Sequence, residues 1–65
     1  MDTIKETSRT KVEYDNNYNT IRFIRKIDGA KSLIAGNIAN DLMMDITSNV
    51  ICDGTIDLIA KSKMN

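Results

Sequence analysis

Sixty-five residues allow one small domain with a thin core. One cysteine and no histidine exclude an internal disulfide and the usual zinc ligand sets. Nine Lys and Arg against nine Asp and Glu leave no net charge, so bulk attraction to phosphate is not the expected mode of action.

Aromatic side chains, which supply much of a small core, are sparse: Phe23, Tyr14 and Tyr18, with no tryptophan. A core this poor predicts completion by self-association, as a homodimer or higher oligomer, or on an unidentified host protein. The charges are unevenly laid out. Arg22, Arg25, Lys26 and Lys31 cluster around Asp28, whereas residues 32–60 carry Asp41, Asp45, Asp53 and Asp57 and no cation. That division predicts complementary docking between surfaces, beside the plainer reading of a balanced, solvated exterior. No apolar run has the length of a membrane span, the first residues are polar and mixed in charge, and a lone cysteine suits a reducing compartment. The expected location is cytoplasmic, with no membrane contact.

In chain order, residues 1–10 hold one apolar side chain after Met1, Ile4, and read as a mobile arm. Residues 11–65 read as a single α+β domain. It opens with a hairpin over residues 11–27. Val12 and Tyr14 alternate with Lys11 and Glu13, and Asp-Asn-Asn-Tyr-Asn supplies a turn. The return strand places Ile21, Phe23 and Ile27 on one face with Arg25 intruding. Thr20, Arg22 and Lys26 fall on the other, with Ile24 intruding.

Asp28 is positioned to cap a helix from Ala30 to about Thr47. Within it Ala35, Ile38, Ala39, Leu42, Met43 and Ile46 share a face at 3.6-residue spacing. Leu33 and Met44, three turns apart on the other side of that helix, are candidate partner-binding residues, together with Arg22, Arg25 and Lys26. At the end of the chain, Asp53-Gly54 between β-branched flanks predicts a second hairpin. The competing reading is a short second helix capped by Thr55, with Ile56, Ile59, Ala60 and Lys63 on one side.

Several chemistries fail on specific residues. Asp-Gly-Ala-Lys-Ser at 28–32 has Ala30 and Arg25 where a phosphate-binding loop needs glycines. The Asp15, Asn17, Asn19 spacing suits a calcium loop, but Thr20 replaces its glycine and Lys26 its closing glutamate. Ile-Cys-Asp-Gly-Thr at 51–55 echoes the first motif of haloacid-dehalogenase-like phosphatases, with Ile51 where the nucleophilic aspartate belongs. Asp41 and Asp45 share a helical face with nothing to complete a metal or proton-sharing site. Cys52 has no histidine to activate it and reads as a packing residue. No enzyme activity, metal or cofactor is expected.

Two function classes survive. The first is a small non-enzymatic protein-binding regulator or inhibitor, of the scale carried by phages and mobile elements. The second rests on a resemblance. A strand bearing Arg22 and Lys26 followed by a helix resembles the ribbon-helix-helix arrangement over about residues 20–63. That implies a dimeric DNA-binding repressor whose paired strands enter the major groove. The acidic second half would then lie near phosphates, which ranks this reading second.

Overall fold

A computed structural model describes the backbone of residues 1–63 and the side chains of residues 1–62. Four strands, β1 (Asp2–Glu6), β2 (Thr10–Asp15), β3 (Thr20–Arg25) and β4 (Lys31–Ala35), precede two helices, α1 (Asn37–Thr47) and α2 (Asp53–Lys63). The strands form an antiparallel meander in the order β1-β2-β3-β4, and both helices pack on one face of it. This is the α+β class that the sequence predicts, with β2 and β3 as the expected first hairpin.

The inward row explains the packing. Val12 pairs with Phe23, and Tyr14 with Ile21, which in turn pairs with Ile34. Val12, Ile21 and Phe23 are fully buried. Against them α1 sets Ala39, Leu42, Met43 and Ile46, and α2 sets Ile56, Ile59 and Ala60. Each set recurs at three- and four-residue intervals, one face of a helix. Fully burying an Ile or Phe contributes about 1.5–3 kcal/mol, so this one layer carries most of the fold's apolar stabilisation.

Four expectations need correction. Residues 2–6, expected in a mobile arm, pair with β2 as β1. A register shift between Thr3 and Lys5 lets Ile4 reach the core although its neighbours are polar. Residues 31–35, expected in the long helix, are instead β4. Gly36 adopts φ 86°, ψ −157°, a conformation open essentially to glycine, and so separates β4 from α1. Asp28 therefore caps no helix; its carboxylate accepts the Ala30 N–H (3.0 Å) inside the β3–β4 turn, where Gly29 takes φ 72°. Ile27 and Ile38, expected on buried faces, are 90% and 65% exposed.

The fourth correction concerns the chain's end. The expected Asp-Gly hairpin does not form, and a helix does, although it starts at Asp53 with Thr55 inside its first turn and not at its cap. Its first backbone bond runs from the Ile56 N–H to the Cys52 carbonyl (3.0 Å). Ile56 and Ala60 are buried as that reading requires, while the side chain of Lys63 lies outside the described residues. Burial of the Ile56–Ala60 face outweighs the local turn preference of Asp53-Gly54.

Asp57 fixes α2 to the sheet. Its Oδ1 accepts hydrogen bonds from the hydroxyls of Thr7 (2.9 Å), in the β1–β2 turn, and Thr10 (2.8 Å), the first residue of β2. The Thr7 oxygen in turn accepts the backbone N–H groups of Arg9 (3.1 Å) and Thr10 (2.9 Å). Both threonines are buried. The carboxylate thus satisfies hydroxyls that would otherwise lose their water without replacement.

Candidate interaction surface

Among the described residues, the face of the sheet opposite the helices carries no covering layer. Strand alternation sends Lys11, Glu13 and Asp15, then Thr20, Arg22 and Ile24, then Lys31, Leu33 and Ala35 to that side. Across the strands these make rows. One runs Thr3, Glu13, Arg22, Leu33, and the next runs Glu6, Lys11, Ile24, Lys31. Leu33 is 63% exposed and Ile24 half-buried.

The five candidate residues do not converge. Arg22 lies in the middle of the open face, with its guanidinium on the Glu13 carboxylate through Nε (2.8 Å) and a second, shorter contact. Lys11 approaches the same carboxylate (3.9 Å). The hydrogen bond from Arg22 holds the Glu13 carboxyl below its ordinary value. Arg25 grips Asp28 with Nε (3.0 Å) and Nη2 (2.6 Å), holding that carboxyl down to about 2. Lys26 donates to Glu6 (2.5 Å) and lowers its pKa. The three cations expected to face a partner are thus each committed to a carboxylate of the same chain.

Leu33 and Met44 are separated as well. Leu33 sits on β4, on the open face, whereas Met44 sits on α1 and is 54% exposed. The sheet lies between the two surfaces, so no single flat contact covers both.

Sequence reasoning missed three features. Lys31 has no carboxylate partner among the described residues and stands on the open face beside Ile24. Arg9 and Lys61 also lack an ion pair among the described residues. They border a cleft of about 360 Å³ with Arg25, Asp57 and Leu58, whose rim is mildly positive. Cys52, expected among packing residues, is exposed at the start of α2, with Sγ 3.2 Å from the Thr55 hydroxyl. That contact and the nearby backbone N–H groups of Thr55 and Gly54 lower its pKa. The detectable signal for Lys31 was the alternation Lys-Ser-Leu-Ile-Ala at 31–35.

No three His, Cys, Asp or Glu side chains among the described residues group closely enough to hold a metal ion. No helix of the described residues is long and apolar enough to cross a membrane. β3 is hydrogen-bonded to a strand on each side. It therefore has no open edge with which to form the two-chain ribbon that the ribbon-helix-helix resemblance requires. Comparison with known proteins finds no matching family model, no matching curated protein and no matching solved structure.

Proposed function

We propose that this chain is a small cytoplasmic, non-enzymatic protein-binding regulator that meets its partner through the open face of the sheet. The observation that carries the proposal is the exposed Leu33 standing among Ile24, Arg22 and Lys31, on a sheet face that no described residue covers and with no described carboxylate paired to Lys31. An antiparallel sheet stably faces water when its outer row is polar. Here the β3–β4 half of that row is partly apolar. A partner that suits it presents an apolar anchor to Leu33 and Ile24, with a carboxylate flanking it to meet Lys31. Arg22 and Glu13 form the polar margin of the contact, and Arg25 and Lys26 serve the turn and the β1 side instead.

Ile24→Thr combined with Lys31→Glu tests this reading. Threonine keeps strand preference while removing the apolar surface. Capture of a host protein by the immobilised chain should fall about tenfold or more, with an unchanged melting curve. The companion variant Ile38→Thr with Met44→Thr, on α1, should capture normally. Capture lost by the α1 variant and kept by the sheet variant would refute the assignment.

A further inference from the structure

We infer that β4 is a self-pairing edge, and that two copies of the chain join antiparallel along it about a two-fold axis at Leu33. This rests on the free edge alone and not on which protein the open face binds.

Among the described residues, both outer strands of the sheet leave backbone groups unpaired, but they differ. β1 has a register shift between Thr3 and Lys5 and carries Asp2, Lys5 and Glu6 in five residues. Bulges and charges of this kind blunt an edge. β4 pairs with β3 in unbroken register and has one charge, Lys31.

The hydrogen-bond phase of the hairpin shows which groups are free. The Arg25 N–H donates to the Ala30 carbonyl (2.8 Å), and the Gly36 N–H to the Asn19 carbonyl (3.0 Å). Antiparallel pairs alternate between bonded and non-bonded. Counting inward from these two pairs along the register, Ser32 and Ile34 turn their backbone toward β3. Lys31, Leu33 and Ala35 turn theirs outward, and all three residues are exposed.

Those three positions match their own reverse. With Leu33 opposite Leu33 of a second copy, Lys31 lies opposite Ala35 and Ala35 opposite Lys31. Each of these pairs can exchange two backbone bonds, since the outward groups face one another. No like charges meet across the seam. Sliding the register by two residues either way loses one bonded pair. A strand with one lysine at one end and alanine at the other thus pairs with a second copy in full register without opposing like charges. Pairing about an axis normal to the sheet keeps all four helices on one side and makes the open face continuous, with the two Leu33 side chains adjacent. Five-residue edges bury less than the roughly 1,200–2,000 Å² of a standard interface, so the association is reversible and concentration-dependent.

The chain alone suffices for the test. Sedimentation equilibrium from micromolar to millimolar should show monomer passing to dimer. Over the same range, amide exchange at Lys31, Leu33 and Ala35 should slow, while Ser32 and Ile34 stay protected throughout. Leu33→Lys or Leu33→Glu alone places like charges face to face and should weaken association about tenfold or more. An equimolar mixture of the two should restore it as a heterodimer. A mass that stays monomeric, or association without slowed exchange at those three amides, would overturn the inference. Protection of those amides only when a different protein is added would equally overturn self-pairing. A mixture no better associated than its components would overturn the Leu33-centred register.

Discussion

Asp28 closes the β3–β4 turn with one carboxylate that holds both the Arg25 guanidinium and the Ala30 N–H. Its pKa is lowered from 3.8 to about 2, first by the Arg25 hydrogen bond and then by the Ala30 N–H. A carboxyl depressed in the folded state stabilises above its unfolded pKa, and that stabilisation is lost as pH falls through the folded value. The turn should therefore hold at pH 4 and loosen on acidification toward about 2. Titration of the Asp28 carboxyl carbon by NMR checks this directly. A midpoint near 3.8 would show that Arg25 does not engage it. Glu13 and Glu6 shift the same way, through Arg22 and Lys26, so acid weakens the β1–β2–β3 ion pairs together.

The environment of Cys52 alters its chemistry too. Hydrogen bonding from Thr55 favours the thiolate, and thiolate is the reactive form. The pH profile of Cys52 alkylation should have its midpoint below that of the unfolded chain, and Thr55→Val should move it upward. Identical midpoints in the folded and unfolded chains would contradict the contact.

Among the elements, legibility followed how one-sided each segment is. Val12, Tyr14, Ile21 and Phe23 alternate strictly and bury one face, so β2 and β3 were readable. β1 has only Ile4 to announce it, and a bulge rather than alternation brings that side chain inward. β4 was masked because Ala35 happens to fall in helical phase with Ala39, Leu42 and Ile46, while its own alternation spans five residues. Ala39, Leu42, Met43 and Ile46 were read correctly as the buried stripe of α1, and Ile38 was not. At α2 a two-residue turn signal competed with a three-residue apolar stripe, and tertiary burial decided it. Of the candidate site, Leu33 was named for the wrong element, and the ion pairs of Arg22, Arg25 and Lys26 were invisible because their partners lie on other strands or across a turn.

The attachment of α2 makes a testable case at this scale. Asp57→Ala removes the acceptor of two buried hydroxyls, leaving Thr10 unsatisfied and Thr7 with only a long contact to the Thr10 carbonyl (3.4 Å). A loss of about 1–3 kcal/mol in denaturant unfolding follows, with faster amide exchange along α2 than along α1. Unchanged stability would mean that apolar contacts alone seat the helix.

At the scale of the whole molecule, the asymmetry is between two faces of one sheet. One is covered by both helices and holds the entire apolar core, and the other is bare. The charges do not divide along the same line: Asp41 and Asp45 lie on α1, while the bare face is balanced, with Lys11, Arg22 and Lys31 beside Glu6, Glu13 and Asp15. In the proposed function other proteins meet the bare face. A photo-crosslinking side chain placed at position 33, and separately at position 44, tests it in the native cell. Adducts to another protein are expected from position 33 and none from position 44. Adducts to another protein from position 44 alone would contradict it.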